Sequence, residues 1–551
     1  MNGSSNMGPE YRQQKFLIID DFPEFRISLK GLVQQLGAID IDTAGNGEIA
    51  LEKCAAKRYD IILSDYNLGE GKDGQQVLEE LIHRDLLKPT TVYVMITAEN
   101  TTEMVMGALE HTPDSYLTKP FTKALLKSRL DKLLLKKLEL AKVHKAVSSK
   151  DYVSAIKQCD VLLTSGSKYK MACMRIKANL YDKMGDFGHS RIIYAKVVED
   201  RPVPWALMGM GKLLYAQEDY QDAHDFFQQV VTSMPTFPEA LDWLARVQQV
   251  LGNPEEAQKT LQSAVNVSPK AILRQMHLGN LALANNDLDV ARRAFKASVK
   301  LGRTSCYKTP NNYLKLVSIL KEKLTPAGGI QNKRIADEAF RVLTELEKEY
   351  NSDKEIKLRS TIARHAIYHK MNKAKEAEQM LTKSKDQYHV LKTILSGVSC
   401  ADMAQACKDG EDYETCQEVL ANILDKFGDD KELMSSLENI IEDKAAFKEA
   451  VRASKFNTLG MKASSNNDTE AAIAAFRDAI TISPKNISFN MNLAQVLIRK
   501  SEATGEKGKL LQEALTCLGQ LKVLQENDHR FLRFQQLLRM ANDLHIGEQS
   551  A

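Results

Sequence analysis

Three alanines stand 34 residues apart, at Ala223, Ala257 and Ala291, and each follows a short polar turn. Companion positions keep the same step: Phe227, Leu261 and Phe295 form one row, Gly211, Ala245 and Gly279 another, and Pro235 and Pro269 close two of the units. A period this long is neither a heptad nor a strand alternation. It is a pair of helices with their turns. Small residues where two helices cross let the backbones approach, and Phe or Leu fills the groove between neighbouring pairs. A chain of this kind stacks like units, each burying its apolar face on the next. Its 551 residues, which would suggest roughly three or four ordinary domains, need not obey that count.

This helix–turn–helix period resembles the tetratricopeptide (TPR) repeat, a protein- or peptide-binding scaffold. The register continues at Asp151, Tyr152 and Ala155, and at Gly185, Asp186, Phe187, Ser190 and Pro202. It is sharp again at Gly460, Asp468, Ala472, Phe476, Ala479 and Pro484. The clearest repeats are expected over 171–302 and 453–486. Between 305 and 450 the candidate crossing positions Ala339, Ala377 and Cys416 lie 38 and 39 apart, which longer helices or inserted turns would explain. The expectation is eight to ten repeats over 134–545, an all-α superhelical array with a concave face, followed by a tail over 546–551.

Ahead of the array the pattern is different. Short β-type runs at 15–20, 39–44, 61–65, 92–97 and 115–118 alternate with amphipathic helical windows at 25–36, 48–56, 75–84 and 102–110. Several runs are apolar throughout, as expected of strands covered on both faces. Five strands alternating with helices predict a doubly wound parallel α/β sheet of the flavodoxin-like kind, which works at the carboxyl ends of its strands. Residues 15–133 form this domain, behind a polar, Gly- and Ser-rich tail over 1–14 expected to be disordered.

The first strand ends in Asp20 and Asp21, the third in Asp65, the fourth in Thr97, and the fifth leads into Lys119 and Pro120. Three converging carboxylates repel one another, and a hard divalent cation such as Mg²⁺ is the usual remedy. With it, Asp65 can act as a nucleophile toward phosphorus, while Thr97 and Lys119 hold the phosphoryl oxygens.

Asp20-Asp21, Asp65, Thr97-Ala98 and Lys119-Pro120-Phe121, at these spacings, resemble the receiver domain of two-component response regulators, the CheY-like fold. The resemblance implies Asp65 as phosphoacceptor and Asp20, Asp21, Asp65 and the Asn67 backbone carbonyl as Mg²⁺ ligands. It implies Tyr116 as the switch aromatic, and Asn67 and Glu99 as the pair that tunes acyl-phosphate lifetime, in a combination like that of the short-lived chemotaxis regulator. One departure stands out. Where the family has Leu or Met followed by Pro after the phosphoacceptor, residues 66–74 place Gly69, in a loop about one residue longer.

The remaining features mostly exclude. Lys+Arg 75 against Asp+Glu 72 is too balanced to argue for nucleic acid. The basic stretch 119–145 reads as an amphipathic helix leading from the receiver into the array, with no helix-turn-helix after it. Eight scattered cysteines without a CxxC pair read as buried free thiols in a reducing cytoplasm. Without a long apolar run, no membrane insertion is expected. His365 and His369, four apart on a helix, lack a third ligand and read as repeat-surface histidines; His83 and His111 sit in no phosphotransfer motif. There is no P-loop, nucleophile elbow, GGDEF or EAL motif, so the only chemistry expected is self-phosphorylation from a donor and slow self-dephosphorylation.

The combined expectation is a bacterial-type cytoplasmic response regulator. A sensor histidine kinase phosphorylates Asp65, and the array answers by binding an unknown protein or peptide. Thr97 and Tyr116 would alter the face of the fourth helix, fifth strand and fifth helix, which runs into the linker helix; the same face could form a phosphorylation-dependent homodimer. The alternatives are a phosphate sink or kinase antagonist that docks on a kinase or sibling regulator, and a phosphorylation-independent scaffold.

Overall fold

A computed structural model of the chain describes residues 10–98, 113–325, 329–438, 440–441, 444–505, 508–521 and 530–549. Two compact units divide it, Met1–Ile319 and Leu320–Ala551.

In the first unit, strands β1 (Lys15–Ile19), β2 (Asp40–Ala44), β3 (Ile61–Asp65), β4 (Val92–Thr97) and β5 (Ser115–Thr118) form one parallel sheet in the order β2-β1-β3-β4-β5. Every residue of β3 and β4 is buried, because both faces are covered. Helices α1 (Pro23–Gln34) and Lys123–Glu139 pack Leu29, Val33, Leu126 and Leu130 on Phe16, Ile18, Leu63 and Ile96. Helices α2 (Gly47–Ala56) and α3 (Gly74–His83) pack Ala50, Leu51, Val77 and Leu81 on Leu17, Ile19, Ile62 and Met95. Each of the larger side chains contributes about 1.5–3 kcal/mol on burial, so the apolar runs dictate the three-layer form. Strand order reverses beside β1, which opens a crevice at the carboxyl ends of β1 and β3.

Two differences from the expected boundaries have physical causes. Within the segment expected to be a disordered tail, Tyr11 is buried and donates its hydroxyl to Asp131 Oδ1 at 2.6 Å, pinning residues 11–13 to the last helix of the domain. The stretch 119–145 is not one helix: Lys123–Glu139 ends at Leu140, and Ala141–Ser148 begins anew, with Leu140 and Val143 buried in the first repeat. The expected helix over 102–110 and the residues Glu99 and His111 lie outside the described residues. At the other end, helix Phe531–Gln549 runs past the expected limit of the array.

After Leu140 the described elements are helices. The same turn recurs inside eight of the described helix pairs: one residue with positive φ, then the residue that starts the second helix. It occurs at Lys150, Gly185, Glu218, Gly252, Asn286, Asn372, Glu411 and Asn467, with φ between 56° and 81°. Asp151, Asp186, Asp287, Asp412 and Asp468 follow and accept from the backbone N–H three residues on, satisfying a donor the helix cannot use itself. At the crossings, a Cβ on Gly211, Gly279 or Gly460 would fall 2.6–2.7 Å from the ring of Phe227, Phe295 or Phe476. Only a bare backbone accommodates the ring. The looser stretch contains longer helices, Gly329–Glu349, Lys354–Lys370 and Ala374–Leu391, of 21, 17 and 18 residues against 13 to 15 over 204–302.

Candidate functional site

The parallel sheet brings Asp20, Asp21 and Asp65 to one rim. Each offers a carboxylate oxygen within 4.8 Å of the others. Asp20 is 1% and Asp65 6% exposed. Asp20 Oδ1 accepts from the Phe22 N–H and Asp65 Oδ1 from the Tyr66 N–H, both at 2.9 Å, so each carboxylate is anchored by the turn that follows its strand. Lys119 Nζ bridges the other two oxygens, 2.8 Å from Asp20 Oδ2 and 3.0 Å from Asp65 Oδ2. It also lies 3.9 Å from the centre of the Phe25 ring. The Lys119 N–H donates to the Thr97 carbonyl at 2.7 Å, and Thr97 is buried at the end of β4.

One ammonium among three carboxylates leaves a surplus of negative charge. Burial pushes the Asp65 carboxyl up to about 6 against the opposing pull of Lys119. Among the described residues, the buried Asp21 Oδ1 has no hydrogen-bond partner. An orphaned carboxylate oxygen beside two further carboxylates is a donor set for a hard divalent cation, and Mg²⁺ fits it.

The other expected residues are placed as follows. Asn67 is exposed in the loop after β3. Tyr116 is half-buried against the core that contains Tyr93 and Met95. His365 departs from the surface position expected of it. It is 1% exposed, with Nδ1 3.0 Å from the Ala377 carbonyl, because that face of helix Lys354–Lys370 packs on helix Ala374–Leu391; His369 is exposed. Asp20, Asp21 and Asp65 are the only candidate metal cluster among the described residues. Seven of the eight cysteines are buried, Cys306 partly so.

Sequence reasoning did not find three contributors. Phe25 floors the lysine. Arg26 holds the Asp20 carbonyl. Gly74 packs so tightly that a Cβ there would meet the Asp65 carbonyl oxygen at 2.0 Å. None carries a charge pattern or spacing that marks it before folding.

Residues 16–131 match the response regulator receiver domain family, and residues 214–277 and 456–486 match tetratricopeptide repeat families. Chemotaxis protein CheY-3 of Vibrio cholerae serotype O1 is 34% identical over 122 residues, which are 22% of this chain and 92% of the relative. Chemotaxis protein CheY of Pseudomonas aeruginosa is 31% identical over 119 residues, 22% of this chain and 94% of the relative. Among solved structures, a two-component response regulator from Clostridium difficile is 31% identical over 22% of this chain and 96% of that one, with a TM-score of 0.21.

Proposed function

The chain belongs to the response regulator receiver family and carries tetratricopeptide repeats behind the receiver; on that premise we propose that it is a phosphorelay regulator, phosphorylated on Asp65 by a histidine kinase and acting through protein contacts of its repeats. The observation that carries the reading is the ammonium of Lys119 held between Asp20 and Asp65, beside an Asp21 oxygen that has no hydrogen-bond partner among the described residues.

In this reading an Asp65 carboxylate oxygen attacks phosphorus, the bond from phosphorus to the donor breaks, and the donor keeps the electron pair. A carboxylate has no proton to lose, so no general base is needed. Lys119 Nζ, already 3.0 Å from Asp65, exchanges the carboxylate oxygen for a phosphoryl oxygen, and the Thr97 hydroxyl binds another. Mg²⁺ held by Asp20, Asp21, Asp65 and the Asn67 carbonyl would supply a Lewis acid that offsets the phosphoryl charge. Tyr116 serves as the switch aromatic, and Asn67 with Glu99 sets the lifetime.

The test is labelling of the full chain by acetyl phosphate, with and without Mg²⁺, in wild type and Asp65→Asn. Label that needs both Asp65 and Mg²⁺ is expected. Its absence would reduce the receiver to a docking module. Decay within seconds together with kinase binding by the repeats would favour a phosphate sink; slow decay favours a switch.

A further inference from the structure

The start of α3 is held from outside the receiver. Asp73 and Gln76 form a reciprocal capping box, with Gln76 N–H donating to Asp73 Oδ1 at 2.9 Å and Asp73 N–H donating to Gln76 Oε1 at 3.1 Å. Both side chains also bond the repeats. Asp73 Oδ2 takes Lys270 Nζ at 3.1 Å, Gln76 Nε2 donates to the Leu301 carbonyl at 3.5 Å, and the Thr304 hydroxyl donates to Gln76 Oε1 at 3.1 Å. Lys72 Nζ donates to the Thr304 carbonyl, and His83 meets Tyr307 edge-to-face at 5.3 Å.

The same ammonium reaches the phosphoacceptor by a second route. Lys270 Nζ sits 4.9 Å from the centre of the Tyr66 ring, and the Tyr66 N–H is the group that holds Asp65 Oδ1. Gly74, next to the capping aspartate, donates its N–H to the Tyr66 carbonyl at 2.8 Å and lies flush on the Asp65 backbone. Residues 65, 66, 73 and 74 are therefore one packed knot, and the repeats grip two of its corners.

We propose that Lys270, a residue of the repeat array, is a positioning residue for the phosphoacceptor loop, and that docking of the 270 and 301–307 turns on α3 restrains that loop against phosphoryl uptake. The inference rests on Asp65 being the phosphoacceptor. Because coupling between two sites is reciprocal, whatever the dock costs phosphorylation, phosphorylation costs the dock. The repeats are then released at α3, a route different from the one through the linker helix. Lys270 is 44% exposed and only its side chain enters the contact, so its replacement leaves the repeat core intact.

The test uses the full chain as wild type, Lys270→Glu and Lys270→Arg. With acetyl phosphate and Mg²⁺, Lys270→Glu is expected to take up label at least threefold faster, and Lys270→Arg to remain within twofold of wild type. Hydrogen exchange of residues 74–83 and 301–307, measured without any phosphodonor, is expected to rise at least fivefold in Lys270→Glu alone. In wild type the same amides are expected to lose protection when beryllofluoride and Mg²⁺ are added. Uptake in Lys270→Glu that is unchanged or slower, with wild type labelled normally, overturns this proposal and leaves the function above standing. Failure of wild type itself to label removes both, while the exchange data still report whether the dock exists.

Discussion

A methyl group on Gly74 would lie 2.0 Å from the carbonyl oxygen of Asp65, closer than any real contact, so Gly74→Ala must push either the loop or the strand end. Overpacking of this kind costs about 1–3 kcal/mol. Gly74→Ala is expected to lower the denaturation midpoint of the chain and to cut labelling of Asp65 at least tenfold, measured side by side. Gly69 poses a different constraint. Its φ is +70°, where a proline, locked near −65°, cannot sit. The departure from the family's proline is thus a change of backbone conformation. Asn tolerates the left-handed region, but a Cβ at position 69 would lie 3.2 Å from Asp21 Oδ2, so Gly69→Asn is expected to weaken labelling and Gly69→Pro to abolish it. Asp20, Asp21, Asp65, Thr97 and Lys119 could be grouped from the sequence because each stands at or just after the carboxyl end of a strand, and a parallel sheet gathers those ends on one rim. Gly74, Phe25 and Arg26 could not, since their contribution is the absence of a side chain, a ring face and a bond to a carbonyl.

At the scale of elements, the glycine–phenylalanine crossings behave as matched pairs. Gly211 faces Phe227 and Gly279 faces Phe295, while the repeat between them sets Ala245 and Leu261 at the same positions. Gly211→Ala alone is expected to destabilise by about 1–3 kcal/mol. Adding Phe227→Leu should return part of that, a coupling that a double-mutant cycle in urea reads directly. Removing a cap acts locally: Asp468→Ala frees the Ala471 N–H and is expected to cost about 1 kcal/mol. The five strands and the short turns could be read from the sequence, since an apolar run and a short polar turn a few residues ahead of a small crossing residue are local signals. The surface assignment of His365 failed because it rested on the lack of a third metal ligand, which says nothing of the helix face the ring occupies.

For the molecule as a whole, pH should act through histidines that resist protonation. Burial and the nearby Arg246 hold His277 down to about 4, while its Nε2 lies 2.8 Å from Gln249 Oε1; burial and Lys137 likewise hold His144 down to about 4. Between that value and the ordinary 6.5 the unfolded chain binds protons the folded chain refuses. Stability present above pH 6.5 is therefore lost as pH falls toward 4. Thermal melts across that range should show the midpoint falling, less steeply in His277→Gln. The grip of the repeats on α3 was invisible in sequence for a plain reason: Lys270 and Asp73 are 197 positions apart, and a lone lysine in a turn carries no address. The helix Lys123–Glu139 adds a matter of phase. It seats Leu126, Leu130 and Leu134 in the receiver core and delivers Leu140 to the core of the first repeat. A residue inserted between Leu134 and Leu140 would turn the second core by about 100° relative to the first, whereas seven would turn it by only about 20°. Tolerance to insertions there should rise and fall with the helical pitch, so the helix acts as a shaft whose angle, as much as its length, is under constraint.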